Sequence, residues 1–269
     1  MNTMEDTLSF NKQQIERPIG IMDSGVGGIS VLRELVKLMP GEDYIYYGDS
    51  VNAPYGTKPA QELIDLTMKN ARFLLEQGAK AIVIACNTAT SVAANILRET
   101  YPEIPIIGIE PALKPAVLAK EHSKVLVMAT IVTLEQKKFG DMMHLYEEDA
   151  DIIKMPCPGL VELIESGHLK DQVLLDYLEE KFSVFHKEEI DAVVLGCTHY
   201  PLIKNMVQSI VPNATIYDGG YGTARQTERR LEECGLLSQR ETGGQVVFYN
   251  SLGTEEMLDF SRYLLELSE

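Results

Sequence analysis

The sequence predicts an α/β protein built on parallel sheets, and three observations point there. After Pro18, short apolar runs alternate with amphipathic segments to the end of the chain. The runs are almost continuously apolar, as parallel strands covered on both faces require. One such unit also occurs twice. AIVIACNTAT from Ala81 and AVVLGCTHYP from Ala192 each read as a buried strand, a Cys, an amide or hydroxyl residue, and then a helix. The repeat implies two similar lobes. Each presents a Cys, Cys86 or Cys197, at the carboxyl end of a strand, where open α/β sheets bind ligands.

Residues 1–17 are polar and aperiodic and read as a loose N-terminal extension. Strands follow at 19–22, 43–47, 80–85, 104–109, 124–129, 151–155, 191–196, 214–217 and 246–250. Helices are expected near 28–38, 59–77, 88–100, 134–146, 171–186, 201–210, 223–236 and 254–267.

Composition narrows the function classes. The 269 residues are 45% hydrophobic, enough for a sizeable core in one large or two ordinary domains. The net charge of −16 comes without a basic stripe, which argues against nucleic-acid binding and against attachment to anionic membranes. An anionic substrate would therefore be held by local backbone donors and hydroxyls rather than by the overall field. No apolar stretch is long enough for a membrane span, and the N-terminus lacks the pattern of a secretory signal. The four cysteines show no CxxC pair, so free thiols in a reducing cytoplasm are expected.

The chemistry gathers at strand ends. Cys86 precedes Asn87-Thr88 and Cys197 precedes Thr198-His199, each reading as a helix start. A helix N-terminus favours a thiolate and can also hold a carboxylate. Two thiols facing one cleft suit proton removal on one face of a carbon and delivery on the other. Cys157 and Cys234 read as core thiols. Asp23 and Ser24 end the first strand, and Gly25, Gly27 and Gly28 follow. The loop resembles GxGxxG except for Ser30, so a nucleotide reading stays open beside that of a cap and tight turn. His199 is an acid–base candidate, and Cys-x-His alone is only half a metal site. Glu165, in LVELIESGH, is a second acid–base candidate, although by itself it reads first as a solvated carboxylate near a helix C-terminus.

Taken together, MDSGVGG, YYGDSVNAPYG, IACNTAT, VVLGCTHYPL and YDGGYGTAR resemble bacterial glutamate racemases, from Pro18 to the C-terminus. The resemblance implies two lobes with pseudo-twofold symmetry and an active site in the cleft between them. The first would span 18–112 plus 226–269 and the second 113–225. It implies that Cys86 takes the α-proton from D-glutamate and Cys197 from L-glutamate. Asp23, His199 and Glu165 would assist. Substrate would contact Asp23, Ser24, Tyr55, Gly56, Asn87, Thr88, Thr198 and His199. It further implies no cofactor and no metal, a homodimer, and D-glutamate for peptidoglycan. The sequence departs from the family pattern at Val132, Phe139 and Gly219, positions expected to lie away from the Cys motifs. Rival readings are a racemase acting on aspartate or a hydantoin, a nucleotide-binding module, and a racemase-like protein recruited as an interaction partner.

Overall fold

The computed structural model describes residues 13–267. Among these residues, nine parallel strands form two sheets. The first holds β1 (Ile19–Asp23), β2 (Tyr44–Gly48), β3 (Ala81–Ile84), β4 (Ile106–Gly108) and β9 (Val246–Asn250), in the order β4-β3-β1-β2-β9. The second holds β5 (Ser123–Ala129), β6 (Ala150–Pro156), β7 (Ala192–Leu195) and β8 (Thr215–Asp218), in the order β6-β5-β7-β8. Reversed, the second order is β8-β7-β5-β6, which repeats the β4-β3-β1-β2 of the first sheet. β3 and β7, the strands leading to the two cysteines, therefore hold equivalent places, and the internal repeat read from sequence is a repeat of topology.

The burial of the strands explains their composition. β1, β3 and β7 are buried along their whole length, so alternation has no use there. The edge strands β6 and β9 are partly exposed and carry Lys154 or Asn250 among their apolar residues. Registers such as Ile19↔Tyr44 and Ile19↔Ala81 put Asp23 and the start of the Cys86 loop at the same sheet end.

Helices cover the faces: α1 (Ile29–Leu38), α2 (Ala60–Glu76), α3 (Asn87–Thr100), α4 (Leu113–Leu118), α5 (Ile131–Glu135), α6 (Lys137–Leu145), α7 (Leu160–Glu165), α8 (Gln172–Phe182), α9 (Lys204–Ile210), α10 (Gly220–Glu233) and α11 (Glu255–Glu266). One continuous apolar cluster joins Ile19, Ile21 and Tyr46 of the first sheet to Leu126, Met128 and Val193 of the second. Separate clusters fill the opposite faces, under α2 and α3 on one sheet and under α4 and α6 on the other. Helix α10 packs on α1, and α11 packs on α1 and β9, so the C-terminal part of the chain returns to the first sheet.

Some expectations change. α4 is absent from the expected helices and α7 enters only through the helix-end reading of Glu165, because six residues contain too few turns for a periodic signal. The helix expected over 134–146 is two helices, broken where Gln136 is extended at φ −64° and ψ 134°. After Cys197 the chain makes a turn and a short 3₁₀ segment, Tyr200–Ile203, and α9 starts only at Lys204. The N-terminal extension is docked rather than loose at its described end. Arg17 donates to the carbonyls of Gly78 and Ala79 (2.7 and 3.0 Å), and buried Lys80 donates to the Ile15 carbonyl (2.6 Å). Residues 1–12 of that extension lie outside the described residues. Cys157 is buried as expected, but Cys234 is exposed at the end of α10.

Candidate active site

In each sheet the chain turns from one side to the other next to its starting strand, between β1 and β3 and between β5 and β7. Such switch points leave a crevice at the carboxyl ends. The loops leaving β1, β3, β5 and β7 supply Ser24, Cys86, Asn87, Thr88, Thr130, Cys197, Thr198 and His199 to the lining of one cavity of about 10 Å³. Tyr55 and Gly56 complete its wall. Space of this size admits about one water, so a larger ligand enters only if the walls part.

Cys86 is the N-cap of α3, and its Sγ accepts from the Ala89 N–H at 3.5 Å. Its thiol donates toward Ser24 Oγ at 3.8 Å. The expected lowering by the helix N-terminus does not prevail. Burial, with the nearby Asp23 charge, pushes the Cys86 thiol up to about 12, outweighing the Ala89 and Ser24 hydrogen bonds. Cys197 has a different partner: its Sγ lies 3.7 Å from His199 Nδ1.

His199 Nε2 is 2.6 Å from Glu165 Oε1. Glu165 Oε1 also accepts from the Val26 N–H at 2.7 Å, and Oε2 accepts from Ser50 Oγ–H at 3.2 Å. Burial pulls the His199 imidazole down, but its hydrogen bonds and charge interactions with Cys197 and Glu165 prevail and hold it well above its ordinary value. Burial likewise pushes Glu165 up, yet the His199 contact, the Val26 N–H and Ser50 leave it lowered. The two form an imidazolium–carboxylate pair at neutral pH. Glu165 is thus no solvated helix-end residue. Short helix α7 projects it across to the glycine loop of the other sheet.

That contact explains the glycines. A Cβ on Gly25 would collide with Glu165 Oε1, and one on Gly27 with the His199 ring. Side chains from the second sheet therefore occupy the space over the loop, which removes the basis of the nucleotide reading. Asp23, fully buried, accepts from the N–H groups of Gly25 (3.2 Å) and Gly28 (3.0 Å) and from Thr198 Oγ1–H (3.1 Å). Burial raises its pKa, against the lowering by His199 and the two N–H groups.

Further hydroxyl bonds cross between the sheets. Ser30 Oγ–H donates to the Thr198 carbonyl at 2.8 Å. Thr88 Oγ1 lies 3.2 Å from both Thr130 Oγ1 and Thr133 Oγ1. The segment that departs from the family pattern is therefore not remote from the Cys motifs. Thr133 and Phe139 share a second cavity of about 70 Å³ with Asn87, and Val132 packs into the first sheet's cluster. Gly219 caps α10 and lies against Glu110 instead. The Tyr55 hydroxyl is already committed, donating to Asp49 Oδ2 (2.7 Å) and accepting from Asn70 (3.0 Å). Asn87 Oδ1 is buried and accepts no hydrogen bond from the described residues. Among the described residues no three His, Cys, Asp or Glu side chains are grouped to hold a metal ion, and no helix is long and apolar enough to cross a membrane.

Two thiols that follow equivalent strands of like sheets thus meet in one cavity, each with its own acid–base surroundings, and residues 19–227 match the Asp/Glu/Hydantoin racemase family. The chain belongs to that family. A glutamate racemase from Clostridium botulinum is 51% identical over 253 residues, covering 94% of this chain and 98% of that protein. Among solved structures, Francisella tularensis glutamate racemase in complex with D-glutamate superposes with a TM-score of 0.79 at 30% identity, covering 94% of this chain and 95% of that one. The Escherichia coli glutamate racemase in complex with L-glutamate and the activator UDP-MurNAc-Ala superposes with a TM-score of 0.82 at 30% identity, over 92% and 95% of the chains.

Sequence reasoning passed over Ser50, Asn250, Ser30, Thr130 and Thr133 as parts of the site. Their partners lie far away in sequence, so no local spacing marks them.

Proposed function

We propose that this protein interconverts L- and D-glutamate without a cofactor, by two-thiol proton transfer. The observation that carries the reading is that Cys86 and Cys197, on equivalent strands of two like sheets, line one cavity. In the L-to-D direction Cys197 takes the α-proton, and Cys86, held protonated at neutral pH, delivers one to the opposite face. The D-to-L direction reverses these roles. His199, backed by Glu165, exchanges a proton with Cys197. Asp23 receives the substrate ammonium, whose charge offsets the carboxylate that helps hold Cys86 up. The unpartnered Asn87 Oδ1 is a second acceptor for that ammonium.

The substrate carboxylates fall to the N-terminus of α3 and to the hydroxyls of Ser24, Thr88 and Thr198. Tyr55 and Gly56 shape the wall beside them. The first lobe is assigned to 18–112 plus 226–269 and the second to 113–225, with the crossing inside α10. The family resemblance supports the remaining parts of the reading: a cytoplasmic homodimer that supplies D-glutamate for peptidoglycan.

The test is the circular dichroism of D-glutamate, L-glutamate and both aspartates incubated with purified protein and no added cofactor. Decay with both glutamates alone is expected. Decay with aspartate alone would move the substrate, and a constant signal throughout would overturn the reading.

A further inference from the structure

A hydrogen-bonded arm reaches Glu165 from the far edge of the first sheet. Asn250, the last residue of β9, donates from Nδ2 to Ser50 Oγ at 2.9 Å. Ser50 Oγ–H donates to Glu165 Oε2 at 3.2 Å. Glu165 Oε1 pairs with His199 Nε2, and His199 Nδ1 faces Cys197.

The directions of the Asn250–Ser50 and Ser50–Glu165 bonds are fixed. The Leu252 N–H donates to Asn250 Oδ1 at 2.9 Å, so the amide nitrogen must face Ser50. The Ser50 oxygen then accepts from Asn250, and its own proton is free to go only to the carboxylate. The loop is anchored as well, since the Val51 N–H donates to Ser251 Oγ (2.9 Å) and the Ser251 N–H to the Gly48 carbonyl (2.9 Å). A hydroxyl that can only donate favours Glu165 as an anion in one rotamer. Asn250 lies beyond residues 19–227, the stretch matched by the family.

We propose that Ser50 and Asn250 are positioning residues for the Cys197 side of the reaction, acting through Glu165 and His199. The inference rests on the two-thiol reading above. The arm is one-sided: Ser50 and Asn250 make no contact with Cys86, whose partners are Ala89 and Ser24.

The one-sidedness supplies the test. A racemase has an equilibrium constant of one, so any variant must lower kcat/KM equally in both directions. What separates the thiols is which proton removal limits the rate. Ser50→Ala should lower kcat/KM about tenfold, the cost of one bond to a charged group. The primary isotope effect should rise with [2-²H]-L-glutamate and not with [2-²H]-D-glutamate. Ser50→Thr, which keeps the hydroxyl, should restore most of the activity. Asn250→Asp should resemble Ser50→Ala, because an acceptor at that place recruits the Ser50 proton away from Glu165.

A second readout needs no substrate. The titratable groups facing His199 are Cys197, Glu165 and Asp23. NMR titration of the His199 imidazole should move to lower pH in Ser50→Ala. Equal isotope effects for the two enantiomers, or an unmoved His199 titration in a folded Ser50→Ala protein, would overturn the arm. Wild-type protein that racemises neither glutamate would overturn the functional reading first, and the His199 titration would still report whether Ser50 tunes the pair.

Discussion

The two thiols begin alike and end in different hands. Each follows the third strand of its sheet, and each chain segment turns over the same kind of crevice. Cys86 then caps a 14-residue helix and meets a backbone N–H, a Ser hydroxyl and the charge of Asp23. Cys197 has no such helix. It meets His199, which the second sheet and Glu165 hold as a cation. A duplicated strand–Cys unit therefore fixes where the sulfur sits, while the packing around it decides how its proton is managed. One station is weighted to hold its proton, and the other faces a histidine cation.

The largest effect expected is from the thiols themselves. Cys86→Ser and Cys197→Ser should each slow racemisation about 10³-fold or more, read by polarimetry with both glutamates. If the stations are distinct, each variant should still exchange the α-hydrogen of only one enantiomer with solvent deuterium. Equal exchange from both enantiomers would break the comparison.

Next comes the pair that belongs to one station. His199→Asn and Glu165→Gln should each lower kcat/KM about 10²-fold. The pair also has a stability signature. His199 is raised, so its contribution is present below its ordinary value of 6.5 and fades as pH rises through the folded value. Glu165 is lowered, so its contribution is present above its ordinary value of 4.5 and fades as pH falls through the folded value. The gap in Tm between wild type and Glu165→Gln should thus be widest between those two values and narrow on both sides. A gap independent of pH would mean that the pair is not ionised.

Gly27→Ala probes the fit between the sheets. The added Cβ meets the His199 ring, so a loss of about 1–3 kcal/mol in urea unfolding and a marked loss of activity are expected together. Activity at the wild-type level would show that His199 has room to move without cost. The smallest effect should come from Cys157→Ala. This thiol is buried, but its Sγ donates only to the Met155 carbonyl at 3.4 Å and it is absent from the cavity lining. Racemisation should stay near wild type, with about 1 kcal/mol of stability lost. A large kinetic loss would mean that a third sulfur matters.

The central strands β1, β3 and β7 were legible because full burial on both faces writes itself into composition, and the partly exposed β6, β8 and β9 because they still carry short apolar runs. Both catalytic candidates were legible because the Cys-bearing strands repeat. The short helix α4 was not, and of α7 only its end at Glu165 was. Val132 and Phe139 read as departures remote from the Cys motifs, yet Thr130 and Thr133 beside Val132 touch Thr88. Such contacts join residues that no period links.

The sequence by itself thus determined the α/β class, the paired cysteines and the glycine loop, since each follows from local burial pattern and residue type. Only the tertiary structure decided what the glycines make room for, which acid lies beside which thiol, and that the last strand reaches Glu165 through Ser50. Those depend on through-space distances between side chains of different sheets. Burial there also reverses the local expectation at Cys86: the helix N-terminus favours a thiolate, and desolvation beside Asp23 outweighs it.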